Sequence, residues 1–193
     1  MALWGASDAD ESKPKWLTTA EKKTVFATAA GWVHEAFNAD MGNDNTSAQV
    51  EVLACVRGLT TSLGAADVTE VELVTTAWDA SAGGTFQARI RWNEAVDVVE
   101  VGSGLKMNVE NDSRTNLTLR YASGTGTNEL TFTLVIGAAN SAIQAGDVLS
   151  IPEEDLVKAG STSVKDAGTS TVSEVGITAA QGAAAGTVTA TAS

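Results

Sequence analysis

One stretch of the sequence has the residue types of a phosphate-binding loop. Tyr121 to Phe132, "YASGTGTNELTF", sets two glycines among small hydroxylated residues. A loop that holds phosphate needs glycine followed by Lys and Ser/Thr at the start of a helix, or a third glycine three residues further on. Here the glycines lead into alternating apolar and polar residues, which are typical of a strand. We therefore predict a hairpin turn in which Gly124 and Gly126 adopt positive φ.

A zinc site or a histidine-dependent triad is the second chemistry that the residue types suggest. His34-Glu35 has the start of a zinc-protease motif, but His34 is the only histidine of the chain. No Gly-x-Ser-x-Gly motif supplies a serine nucleophile. A packed or interfacial role for His34 is therefore favoured over catalysis.

Calcium is the third chemistry, and the segment from Asp40 to Glu51 is the stretch that comes nearest to it. Asp40, Asp44 and Glu51 occupy the first, fifth and twelfth positions of a twelve-residue calcium loop. Gly42 and Asn45 stand at the third and sixth positions, where an acid or Asn and a Gly are needed. The sequence thus favours a polar linker, and we expect no metal, no cofactor and no catalytic residue, hence no enzyme.

The charge balance disfavours nucleic acid as a partner. The chain of 193 residues has 12 Lys and Arg against 24 Asp and Glu, a formal charge of −12, whereas nucleic acid requires a basic face. No apolar run approaches the ~20 residues of a membrane span. The start "MALWGASDADESKPKWL" lacks the pattern of a secretory leader. We expect synthesis in the cytoplasm and no membrane partner.

The N-terminal third is predicted to contain an extended arm and short helices. Thr18 and Glu21 have capping-box spacing, and "TTAEKKTVFATAAG" is rich in helix formers. These features predict a helix over about 19–30 that ends at Gly31. A second short helix is predicted around 48–59, from apolar residues at helical spacing.

From about residue 67 the apolar period becomes two, which predicts short strands and an antiparallel β-sandwich. The predicted strands are Val68–Thr75, Phe86–Trp92, Val96–Val101, Leu105–Val109, Leu117–Tyr121, Leu130–Ile136, Val164–Asp166 and Val172–Thr178. "PEEDLVKAG", begun by Pro152, is predicted as an exposed helical turn. The last stretch, "AAQGAAAGTVTATAS", is either a disordered tail or a final strand over Thr187–Thr191.

The C-terminal two thirds resemble a known repeat. "RWNEAVDVV" (91–99), "LRYASGTGTNELTFTLVIG" (119–137), "IQAGDVLSI" (143–151) and "AGSTSVKDAGTS" (159–170) are similar to the Ig-like repeat of large bacterial surface adhesins. The chain departs from that repeat at Gly168-Thr169, which replaces a glycine-asparagine pair. The resemblance implies an Ig-like fold and weakens any transfer of a calcium site.

The N-terminal segment resembles another group of proteins. "MALWG" followed by "KPKWLTTAEKKTVFATAAGWV" is similar to the N-termini of structural proteins from tailed marine cyanophages, where a short Trp-containing arm precedes a variable β-domain. The two resemblances imply a domain order that we state as an expectation: an anchoring arm with a short helix over 1–40, a connecting segment over 41–66, an Ig-like β-sandwich over 67–178, and a tail or added strand over 179–193.

Six apolar side chains of the N-terminal segment are predicted to insert into a partner, because a segment this short cannot bury all of them and Trp is enriched at interface anchors. They are Trp4, Trp16, Leu17, Phe26, Trp32 and Val33. The alternative is that they fold back and enlarge the core. The expected partner is the major capsid protein or another virion protein, with copies of the chain itself as a further partner.

The expected function is that of a capsid decoration protein at the virion surface, with the arm on the shell and the sandwich outward. The alternative is a tail or fibre module that binds a host receptor or glycan through loops at one end of the sandwich. Trp78 is the aromatic candidate for stacking on a sugar in that alternative.

Overall fold

The computed structural model describes residues 13–28, 31–34, 51–55 and 65–192. The fold is mainly β, as predicted, with a large mixed sheet and two short helices. In chain order, the elements of the described residues are α1 (Thr19–Lys23), β1 (Val25–Thr28), β2 (Gly31–His34), β3 (Glu51–Cys55), β4 (Val68–Leu73), β5 (Trp78–Asp79), β6 (Gly84–Val99), β7 (Leu105–Asn111), β8 (Leu117–Ser123), β9 (Thr127–Ile136), β10 (Val148–Ser150), β11 (Glu154–Asp155), β12 (Val157–Lys158), β13 (Ser163–Asp166), β14 (Gly176–Ile177), α2 (Ala179–Ala184) and β15 (Thr187–Thr191).

Strand β6 organises the main sheet. The strand order over the described residues is β3-β2-β1-β6-β9-β8-β7-β10-β15-β5, and β4 and β13 also pair with β6. Alternate residues of β6 face the core, which follows from the period of two in the sequence. Phe86, Ala88, Ile90 and Trp92 are all fully buried.

Strand β6 replaces two predicted strands, Phe86–Trp92 and Val96–Val101. The prediction of two separate strands was wrong. Arg91 lies opposite Glu129 of β9, and Val96 lies opposite Thr127. The chain between Arg91 and Val96 therefore forms a long bulge in β6 instead of a turn, because it contains neither glycine nor proline to reverse it.

The hairpin predicted from "YASGTGTNELTF" is confirmed. Strand β8 ends at Ser123 and β9 begins at Thr127, and the backbone N–H of Thr127 donates to the carbonyl of Gly124 over 3.0 Å. Gly124 has φ +118° and Gly126 has φ +82°, values that a residue with a side chain rarely adopts. The glycines thus serve the turn.

The C-terminal strand is confirmed as the second of the two alternatives for the tail. β15 pairs antiparallel with β10 and parallel with β5, and it buries Val188 and Ala190. The sequence analysis missed α2, which precedes it. Thr178 and Gln181 form a capping box there, and the Gln181 Nε2 donates to the Val68 carbonyl over 2.7 Å.

Of the two predicted helices, the first is shorter than predicted and the second is replaced by a strand in the described residues. The capping box of Thr18 and Glu21 is confirmed, but α1 ends at Lys23 and β1 follows at once. Gly31, predicted to end the helix, begins β2 with φ +130°. The β-branched and aromatic residues of "TVF" favour a strand once a partner strand is present. The second predicted helix contains β3, which pairs with β2, and its remaining residues lie outside the described ranges.

The exposed helical turn predicted for "PEEDLVKAG" is also wrong. β11 and β12 lie there instead, and they pair with β14 and β7 respectively. Leu156, between them, is 3% exposed. An exposed turn would have placed this side chain in solvent, whereas it is part of the core. Of the strand predicted over Val172–Thr178, only β14 forms, and Val172 makes a single bridge to Lys165.

Substitution of Gly124 tests how strongly the turn depends on glycine. A Cβ at Gly124 would collide with the carbonyl oxygen of Glu129, whereas a Cβ at Gly126 meets no atom within 4 Å. Gly124→Ala should lower the free energy of unfolding by roughly 2 kcal/mol or more, since it adds a backbone collision to the strained φ. Gly126→Ala, the matched control, should cost about 1 kcal/mol for its φ alone. Urea unfolding of both variants measures the difference. Equal losses of unfolding free energy would contradict the predicted collision at Gly124.

Candidate functional site

The N-terminal part, which here means the described residues 13–28, 31–34 and 51–55, has a small apolar cluster of its own. Val25, Ala27 and Trp32 are buried in it, with three partly buried residues packed against them. Antiparallel pairing of β1 and β2 sets Ala27 opposite Trp32, which places their side chains on one face of the hairpin. Trp32 is 1% exposed.

Three of the six predicted partner-binding residues are buried within the chain. Phe26 is 6% exposed, Trp32 1% and Val33 2%. Phe26 and Val33 lie opposite each other on the other face of the hairpin, so both faces are covered. The prediction that these three residues insert into a partner is corrected, because their side chains are already buried in a folded hairpin.

The other three predicted residues differ in accessibility. Trp16 is 60% exposed, and Leu17 is partly buried against the small cluster. Trp4 lies outside the described residues. Among the predicted anchors that the structure describes, Trp16 is thus the one that is mainly exposed.

The backbone around Trp16 is held on both sides. Before it, Lys13 is 4% exposed, and its Nζ donates to the Lys22 carbonyl over 2.8 Å. After it, the Leu17 N–H donates to the Pro14 carbonyl over 3.2 Å. Trp16 therefore lies on a short turn that is tied to α1, which limits the entropy lost when its ring is covered by a partner.

The hairpin is joined to the main sheet by backbone pairing and by charge. Ala27 of β1 pairs in parallel with Glu94 of β6. The Nζ of Lys23 lies 2.6 Å from Oε1 of Glu70 on β4, and Oε2 of the same Glu70 accepts from Arg91 over 2.9 Å. The N-terminal part is thus connected to a charge network on the outer face of the sheet.

Arg91 is the centre of that network. Its side chain is 4% exposed and contacts carboxylates of Glu70, Glu72 and Glu129 at 2.9, 3.0 and 2.7 Å. Burial by itself would lower the pKa of Arg91, but the charges of Glu129, Glu70 and Glu72 raise it. Arg91 therefore stays charged, and removal of one partner would leave charge in a buried setting.

The described residues contain no arrangement that matches the zinc or calcium sites considered from the sequence. His34 is partly buried, and its Nε2 lies 2.8 Å from the Thr24 hydroxyl. Within the described ranges no group of three or more His, Cys, Asp or Glu side chains is arranged to hold a metal ion. The segment from Asp40 to Glu51, which the sequence favours as a polar linker over a calcium loop, lies outside these ranges except for Glu51, which begins β3. None of the described helices is long and apolar enough to cross a membrane.

A groove of about 740 Å³ lies at one end of the main sheet. Six of its nine lining residues are polar, and the lining comprises Ser113, Arg114, Thr115, Asn116, Leu117, Thr118, Leu134, Ser141 and Ala142. Trp78, predicted as a sugar platform, is 5% exposed, and its ring centroid lies 5.6 Å from that of Phe86. Trp78 is a core residue, so that prediction is corrected.

A buried carboxylate supports the loop beside the groove. Oδ2 of Asp147 accepts hydrogen bonds from Asn111 Nδ2 at 3.0 Å, from the Gln144 N–H at 2.9 Å and from Arg114 Nε at 2.9 Å. Burial would raise the pKa of Asp147, but these hydrogen bonds and the charge of Arg114 lower it overall. Sequence reasoning missed the cluster because Asn111 and Asp147 are 36 positions apart, and no local pattern joins them.

Asp147→Asn tests this support. A carboxylate with a lowered folded pKa stabilises the fold above its unfolded pKa of about 3.9, and the stabilisation is lost as pH falls through the folded value. At pH 7 the variant should lose roughly 1–3 kcal/mol of unfolding free energy, and the gap from wild type should narrow below about pH 4. Urea unfolding across pH measures it. Glu110→Gln, which removes an exposed carboxylate of β7, should change little, and a gap for Asp147→Asn that is independent of pH would contradict the account.

Comparisons with protein-family models, with curated proteins and with solved structures found no match for this chain. What its residues can do is therefore inferred from their geometry and from the two resemblances noted in the sequence.

Proposed function

We propose that the chain is a non-enzymatic structural protein of a bacteriophage virion, a capsid decoration protein that is attached through its N-terminal segment. Its residues 67–178 form an Ig-like domain displayed outward from the shell. The partner is the major capsid protein or another virion protein. The observation that supports attachment at this end is the 60% exposure of Trp16 on a backbone tied to α1.

The physical reason concerns the cost of exposing a large ring. An exposed Trp leaves apolar area in water, and covering it by a partner gains roughly 25 cal/mol per Å² of apolar surface. Trp is also among the residues that most often dominate binding energy at interfaces. Because Leu17 packs inward while Trp16 points outward, the turn presents one side chain and stays anchored by its neighbour.

The buried hairpin changes which residues take part in attachment. The core of the hairpin β1–β2 contains Phe26, Trp32 and Val33. These residues support the attached segment and do not contact the shell. The contact is therefore assigned to the segment that ends at Leu17, which includes Trp4 and Trp16. The hairpin connects this segment to the displayed domain, because β1 pairs with β6.

One observation favours the alternative, a tail or fibre module that binds a host receptor or glycan. The groove lies at one end of the main sheet, where loops on a rigid scaffold commonly bind ligands. The position of the protein in the particle separates the two functions. Copies spread regularly over the shell support decoration, whereas copies confined to the tail support the alternative.

Trp16→Ala tests the attachment. Capsids stripped of the protein should bind the variant at least about tenfold more weakly than wild type, since the substitution removes an interface anchor. Val135→Ala is the matched control, because Val135 is an apolar residue of β9 that is 77% exposed and lies away from the proposed contact. Its binding should equal that of wild type in the same sedimentation assay.

Circular dichroism and thermal melting of both variants establish that they are folded. Unchanged binding of Trp16→Ala together with that of Trp4→Ala would contradict attachment by this segment. Loss of binding by Val135→Ala would instead place the contact on the main sheet.

A further inference from the structure

Two cations face each other across β7 and β8. Lys106 lies directly opposite Arg120 in the antiparallel register, and opposite residues have Cβ atoms about 5 Å apart. Both side chains lie on the outer face of the sheet, because their neighbours Leu105, Met107 and Leu119 point into the core. Like charges that lie directly opposite destabilise a sheet, so this pair opposes folding in the isolated chain.

No acid of the described residues neutralises this pair. Within the ranges that the structure describes, neither Lys106 nor Arg120 makes an ion pair or a side-chain hydrogen bond. The contrast with Arg91 on the same face is clear, since three glutamates surround that side chain. The chain has twice as many acidic as basic residues, yet none of the described acids pairs with Lys106 or Arg120. This points to a negatively charged ligand that binds the two cations.

The residues next to the pair are mostly polar and uncharged, and the exception is the apolar Val157 of β12, which lies directly opposite Lys106 on its other side. The next cross-strand pair on the same face is Asn108 with Thr118, and the Thr118 hydroxyl donates to Oδ1 of Asn108 over 3.0 Å. Thr133 of β9 lies opposite Arg120 on its other side. Thr118 also lines the groove of about 740 Å³, so a row of hydroxyl and amide groups leads from the two cations into that groove.

We propose that this face is a binding site for an oligosaccharide that carries carboxylates, with Lys106 and Arg120 holding a carboxylate. Arg and Lys form charge-assisted hydrogen bonds with carboxylates, and the side chains of Asn108 and Thr118 match the hydroxyls of the sugar units. The groove beyond Thr118 accommodates the next units. This site is separate from Trp16 and does not rest on the proposed attachment.

The chemistry of the face favours a sugar over a protein partner. The core of a protein interface is apolar and enriched in aromatic residues. Among the described residues of this face, Val135 and Val157 are the large apolar side chains that are exposed, and they lie at different strands, β9 and β12. The formal charge of −12 repels a long polyanion, but screening within about 10 Å leaves the local cations dominant for a short one.

The test is titration calorimetry with an oligosaccharide of galacturonic acid. Wild type should bind it, and full methyl esterification of the sugar, which removes the charge and keeps the ring, should weaken binding at least about tenfold. Arg120→Gln should weaken binding of the charged sugar about tenfold. Lys165→Gln is the matched control, since Lys165 of β13 lies opposite Asp97, and its binding should stay within about twofold of wild type.

Three binding results would overturn the proposal: no binding of the charged sugar, equal binding of its methyl ester, or equally strong binding of a polyglutamate peptide, which would assign the face to an acidic protein. Thermal melting separates a binding role from a structural one. Arg120→Gln should melt no lower than wild type because it relieves repulsion, and a lower melting temperature would contradict the assignment. Trp16→Ala should bind the sugar as wild type does, so this site and the capsid attachment fail or succeed independently.

Discussion

The bulge of β6 at residues 92–95 is the feature on which the described structure depends most. Trp92 is fully buried, and its Nε1 donates to the Glu174 carbonyl over 2.7 Å. The Asn93 N–H donates to the Asp67 carbonyl over 3.0 Å, and the Asp67 N–H donates to Oδ1 of Asn93 over 2.8 Å. Glu94 pairs with Ala27 of β1. Where pairing with β9 is interrupted, residues 92–94 thus contact three distant segments of the chain.

In the function that we propose, attachment and display are joined at the same bulge. The hairpin β1–β2 buries aromatic residues that a free arm would expose, and it reaches β6 through the bulge. Lys23 adds a charge contact to Glu70, which also supports the buried Arg91. The proposed contact at Trp16 therefore belongs to a folded part of the chain, while the outer face of β7 and β8 lies on a separate part of the sheet. The proposed attachment and the proposed ligand binding can be tested by different substitutions.

The sequence predicts the parts of the fold that depend on local pattern. Alternation located β4, β7, β8 and β9, and glycine chemistry located the turn at Gly124 and Gly126. The predicted helix over 19–30 fails because pairing with β2 overrides a moderate helical preference after Lys23. Trp78 looked like a surface platform because its neighbours are small and polar, yet it packs on Phe86. Asp147 and the pair Lys106–Arg120 depend on register between distant strands, which no local pattern contains.

The most direct measurement of the central claim is a reconstruction of the virus particle by electron cryomicroscopy at a resolution that shows side chains. The account predicts density for this chain on the capsid shell, with Trp16 covered by the capsid protein and the sheet formed by β6 to β9 standing away from it. Density that joins the shell to the outer face of β7 and β8, with Trp16 in solvent, would contradict it.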